Sequence, residues 1–172
     1  MGQFLGSAGG SCERHQENVE MDVVRVEIGK SLTPDERVRF LAILFRLAQV
    51  EQVSRLERDR LQPIAAWLEA GDEELENAIR LAYNPERELA GLLNGLRGNA
   101  KGTLLFRESC AVVWADGVKS SQEAATLAEL ALLLGLSNDT VGTLDTPLAC
   151  SPEGERRFLE HLKGTSSREN EH

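Results

Sequence analysis

Displaced against itself by about 66 residues, the chain superimposes two helical hairpins without a gap. Phe40 falls on Phe106, Leu47 on Val113, Ser54 on Ser120 and Glu57 on Glu123. Leu61, Ile64, Ala65 and Leu68 fall on Leu127, Leu130, Ala131 and Leu134, so a whole apolar stripe is kept together with its cap. Apolar residues three and four apart lie on one face of a helix. Each hairpin has a face it cannot bury alone, and two copies in one chain meet that need by packing on each other. The expected fold is an all-α, internally duplicated bundle of about seven to eight helices, with repeat halves at 33–98 and 99–163.

Capping residues mark the helices. Thr33, Pro34 and Glu36 supply a cap hydroxyl, a proline at the first helical position and a carboxylate that returns to the cap. The helix that follows, VRFLAILFRLAQV, is apolar on most sides, as a central helix must be. Ser54 and Glu57 open a second helix, which Pro63 is expected to kink or to shift in its start. Asp72 is expected to cap a third helix to about Tyr83, and Asn84, with Pro85 first, a fourth ending near Gly95 or Gly98. Asn99 to Ala115 reads as a fifth helix, again apolar on most sides, and Ser120 to Leu134 as a sixth, with Glu123 completing the cap and Gly135 closing it. Ser137 or Asn138 starts a short seventh, and Ser151-Pro152 a last one to about Lys163. Upstream, VEMDVVRVEIG is either extended or a short helix on the core. Residues 1–18 and 164–172 are too polar and too rich in small residues to order themselves, which leaves one domain over 19–163.

With a formal net charge of -9 and basic residues such as Arg37, Arg39, Arg55, Arg58 and Arg60 interspersed with acids, the chain has no basic face for nucleic acid or anionic membrane. Cys12, Cys110 and Cys150 are too far apart for a zinc or disulfide framework and read as reduced thiols of a cytoplasmic protein. No apolar run is long enough to cross a bilayer. Gly2 stands where N-myristoylation needs it, but the hydroxyl, Ser7, is one position out of register. His15, His161 and His172 have no sequence-marked nucleophile or acid beside them, and no glycine-rich phosphate loop is present, so no catalytic residue is assigned.

The polar groups nearest the core gather at the break between the fifth and sixth helices. Asp116 and Glu123, with Glu57 from the first copy, are oxygen ligands of the kind calcium or magnesium takes, and Gly117 lets carbonyls turn inward. Local structure accounts for the same residues: Gly117 ends a helix, Ser120 and Glu123 form a capping box, and Asp116 can bond the turn. Lys119 sets a positive charge in the loop, and the acids do not follow EF-hand spacing. Trp114 reads as core and Trp67 as a half-exposed contact residue.

Ala115-Asp116-Gly117, Ser120, Glu123 and Leu134-Gly135-Leu136 together resemble the TerB-like family, named for a tellurite-resistance protein and related to the N-terminal domain of a DnaJ-type co-chaperone. The resemblance covers roughly residues 33–145. It implies a duplicated helical binding domain of stress responses, sometimes linked to divalent metal through acidic turns and to work near the inner membrane. The family carries an acidic turn in both halves, whereas Val50 and Glu51 occupy the first copy here. The resulting expectation is a non-enzymatic module that binds a protein partner in a groove between the hairpins. The alternatives are a metal-binding or metal-sensing stress protein and an enzyme with a helical-bundle pocket.

Overall fold

A helix that is apolar on most sides has to be enclosed by other helices, and this chain has two of them. The computed structural model describes residues 25–48 and 55–151 with Gly154 and Phe158; the side chains of 55–60 and of Cys150 lie outside that description. The expected leader and tail, the Ser54 cap, Val50 and Glu51 all fall outside it too. Residues 25–31 are helical and form α1, the helical of the two readings for this stretch. Then come α2 (Pro34–Ala48), α3 (Arg55–Trp67), α4 (Asp72–Ala82), α5 (Leu89–Leu92), α6 (Ala100–Val113), a 3-10 turn (Trp114–Asp116), α7 (Ser121–Leu134), α8 (Asn138–Leu144) and a second 3-10 turn (Pro147–Cys150). Gly154 and Phe158 are helical as well. Among the described residues there is no strand, and the architecture is an all-α bundle.

The duplication is written in the helix starts. Pro34, Arg55 and Asp72 begin α2, α3 and α4, and Ala100, Ser121 and Asn138, each about 66 residues later, begin α6, α7 and α8. The central pair is α2 and α6. They pack on each other, with α4 and α3 against α2 and with α7, α8 and α3 against α6. Phe40 and Phe106, which superimpose in the repeat, are both fully buried, as are Leu44, Leu104 and Leu130. Trp67 meets Phe40 edge to face, with ring centroids 6.0 Å apart. It is packed on the core and only partly exposed.

The caps form as their residue types dictate. The Glu36 N–H donates to Thr33 Oγ1 at 3.2 Å while Glu36 Oε2 accepts from the Thr33 N–H at 2.8 Å. Ser120 and Glu123 make the same reciprocal pair, Asn99 caps α6, Ser137 caps α8, and Gly135 closes α7 in the left-handed region. Three details differ from the sequence reading. The cap of α4 is Gly71, whose N–H donates to Glu74 Oε2, and Asp72 is the first helical residue. Asn84 accepts from the Glu86 N–H in a tight turn, so the chain bends there and α5 is a single turn beginning at Leu89. α3 starts at Arg55 and contains the exposed Pro63 in its interior, so Pro63 does not shift the start of the helix.

Glu36 also ties the copies together, accepting from Lys101 Nζ at 3.0 and 3.2 Å. Burial pushes the Glu36 pKa up, but the Thr33 N–H and the Lys101 ammonium outweigh it and hold the carboxyl below its ordinary value of 4.5. A depressed folded pKa stabilises above the unfolded pKa, and that contribution is lost as pH falls through the folded value. Urea unfolding at stepped pH should show wild type losing stability below about pH 4.5, while Glu36→Gln, already weaker at neutral pH, falls less steeply over that window. Leu130→Ala should cost about 2 to 5 kcal/mol by denaturant unfolding. A loss below about 0.5 kcal/mol would place that face of α7 at the surface.

Candidate functional site

The Asp116-Gly117 break is built by helix termination. α6 ends at Val113, tightens into the 3-10 turn, and Gly117 then takes a φ of 82°, a left-handed conformation that suits glycine. Asp116 is exposed, and its Oδ1 accepts from the Val118 N–H at 2.9 Å. Glu123 is buried, and its Oε2 accepts from the Ser120 N–H at 2.8 Å. Each carboxylate therefore serves main-chain donors of its own turn. α3, the helix that carries Glu57, packs against the 3-10 turn, but the Glu57 side chain lies outside the described residues. Among the described residues no group of three or more His, Cys, Asp or Glu side chains is placed to hold a metal ion.

What the turn does gather is a cluster around Asp145 at the end of α8. Trp114 Nε1 donates to Asp145 Oδ1 at 3.0 Å, and Lys119 Nζ donates to both carboxylate oxygens at 2.8 and 2.7 Å. The same ammonium stands 5.0 Å from the centre of the Trp114 ring, a cation–π distance. Trp114 is thus half-buried, one end in the core and the other in this cluster. The three side chains pin the loop between α6 and α7 onto α8. Lys119, which as a point charge counted against a cation in the loop, has its charge matched by Asp145.

A second polar group lies inside the bundle. Where α2 has Leu41, Ala42 and Ile43, α6 has Arg107, Glu108 and Ser109, and all three are buried, at 2%, 3% and 0% exposure. Arg107 Nη1 donates to Glu108 Oε1 at 2.6 Å, Arg25 of α1 reaches the same oxygen with Nε and Nη2 at 3.2 Å, and the Arg107 guanidinium lies over the Phe158 ring at 5.7 Å. Among the described residues Ser109 Oγ has no hydrogen-bond partner. One carboxylate thus joins α6 to α1, and one guanidinium joins it to the last helix. The sequence held the clue: two adjacent charges in mid-helix, in a helix with no polar face to carry them, have to be buried and paired.

Asp145→Ala removes the acceptor shared by Trp114 and Lys119. In a Trp67→Phe background the emission of Trp114 should shift to the red, and stability should fall by about 1 to 2 kcal/mol. An unchanged spectrum would mean that Asp145 does not hold the indole. Compared with family models, with curated proteins and with solved structures, the chain matches none.

Proposed function

We propose that this chain is a non-enzymatic binding domain of TerB-like build, a stress-response interaction module that receives an amphipathic helix of a partner protein on the outward face of α7. The observation that carries the reading is the make-up of that face. Ser121, Ala125, Ala128 and Leu132 are all exposed and follow one another at intervals of four, three and four, the spacing of a helix–helix seam. Leu132 is 80% exposed, and Val118, 68% exposed, stands just before the helix. Alanines let a second helix approach closely and lose no side-chain entropy when covered. In the first copy the equivalent positions hold Arg55, Asp59, Gln62 and Ala66, two of them charged. In a chain with 27% charged residues, the α7 face carries one charge, Glu129.

Helical spacing favours a helix as occupant over an extended peptide. The net charge of -9 and Glu129 beside the seam favour basic residues flanking the partner's apolar stripe. The engagement of Asp116, Glu123 and Asp145 in structural bonds supports a binding role over catalysis at the turn.

The test starts from proteins that copurify with the wild-type chain and are lost with Leu132→Glu, a variant whose exposed position preserves the fold, as circular dichroism should verify. A copurifying protein, purified and titrated, should bind wild type at least about tenfold more tightly than Leu132→Glu, a difference of about 1.4 kcal/mol, through a helix with basic flanks. Equal affinity for the two would remove this face from the function. A homodimer that Leu132→Glu dissolves in sedimentation would assign the face to a second copy and overturn the partner reading.

A further inference from the structure

The sequence contains two steps from an Asx residue to glycine, Asn94-Gly95 and Asp116-Gly117. In such a step the glycine nitrogen can attack the preceding side-chain carbonyl carbon, because glycine has no Cβ to obstruct closure of the five-membered ring. The two steps are held differently. At the second, both reacting groups are engaged: the Gly117 N–H donates to the Trp114 carbonyl at 3.0 Å, and Asp116 Oδ1 accepts from the Val118 N–H at 2.9 Å. At the first, neither is. Asn94 and Gly95 are exposed in the turn between α5 and α6, and among the described residues neither the Asn94 side chain nor the Gly95 N–H makes a hydrogen bond.

We propose that Asn94 is a site of spontaneous deamidation and isoaspartate formation, placed to loosen the tie between the two copies. The Gly95 nitrogen gives up its proton and bonds to Asn94 Cγ; the bond from Cγ to the side-chain nitrogen breaks, and that nitrogen leaves as ammonia. One water then opens the succinimide at either carbonyl, leaving aspartate or isoaspartate at position 94. The net change is one water taken up and one ammonia released, with no other reactant.

The position gives the modification its consequence. Gly95 has a φ of 80°, and the space a Cβ would occupy on it is filled by the Glu36 carboxyl, the group that holds Lys101. Isoaspartate at 94 inserts a methylene into the main chain directly before Gly95. It also adds a negative charge one residue from a glycine seated on a carboxylate. Both changes push Gly95 off Glu36 and weaken the bridge from α2 to α6.

The full chain and its Asn94→Gln variant are aged at mildly alkaline pH, then mapped by peptide mass spectrometry and by enzymatic carboxyl methylation of isoaspartate. Unfolded peptides spanning each step are aged in parallel. Residue 94 should convert at close to its peptide rate. Residue 116 should be slowed relative to its own peptide by roughly tenfold or more, because both hydrogen bonds have to open before the ring can close. Asn94→Gln should show no conversion at 94, and aged wild type, unlike the aged variant, should melt at a lower temperature. Retention of the amide at 94, equal protection at the two steps, or an unchanged melting temperature in isoaspartate-bearing protein overturns the proposal.

Discussion

The mutual burial of α2 and α6 is the constraint on which the rest of the structure depends. Each helix is apolar on most sides, so each has to be enclosed, and a single hairpin has too few helices to do it. Packing the two against each other removes one face of each at once. α3, α4, α7 and α8 then have only the remaining faces to cover, which fits their amphipathic or short character. The ion pair between Glu36 and Lys101 fixes the register of this packing at the helix N-termini, where the Thr33 cap has already positioned the carboxylate. A surface ion pair of that kind contributes little by itself, but one whose acid is buried and doubly bonded selects a single alignment of the two copies.

Much of this was legible in the sequence because it is local. A cap depends on residues three apart, and Thr33, Asn99, Ser120 and Ser137 each do what their side chains allow within one turn. The stripe from Leu127 to Leu134 is buried as its spacing requires. Where the reading went astray, competition between local options decided the outcome. Asn84 can cap a helix or close a tight turn, and it closes the turn with Glu86, which delays α5 to Leu89 and leaves it one turn long. At Gly71 the cap uses the main chain and Glu74, with no side-chain hydroxyl to announce it. The candidate site was legible to a smaller degree. Asp116 and Glu123 stand out in the sequence, but their partners are main-chain donors, whereas Asp145, which organises Trp114 and Lys119, lies two helices away and no spacing rule connects it to them.

The buried row of Arg107, Glu108 and Ser109 shows what the duplication has been used for. In the first copy the same turn of helix is Leu41, Ala42 and Ile43, which is the cheaper way to fill a core. Placing two charges there costs several kcal/mol in desolvation before any partner is counted. Arg25 and Phe158 offset part of that cost, and they come from the first and last described elements of the chain. An apolar row would accept many neighbours of similar volume. A buried carboxylate accepts only what brings it a positive charge in the right place, so the row specifies which segments close the second half of the bundle.

Among the differences between the two copies are the central row of α6, the outward face of α7 and, in sequence, the turn at Asp116-Gly117. Copies that share a fold start with the same core and the same surface, and a departure that raises the cost of folding or exposes apolar area is retained against stability. The polar row raises that cost, and Leu132 exposes apolar area. The turn between them is held to α8 by Lys119 and Asp145 and to α3 by packing. α7 begins five residues beyond that turn's last 3-10 residue, so anything that fixes the turn also fixes the start and direction of α7. On this arrangement the first copy supplies the wall against which α6 is buried, and the second supplies the rigid mounting of α7. The binding seam proposed for α7 calls for such a mounting, because alanines offer little area and bind only where the helix bearing them is already held in place.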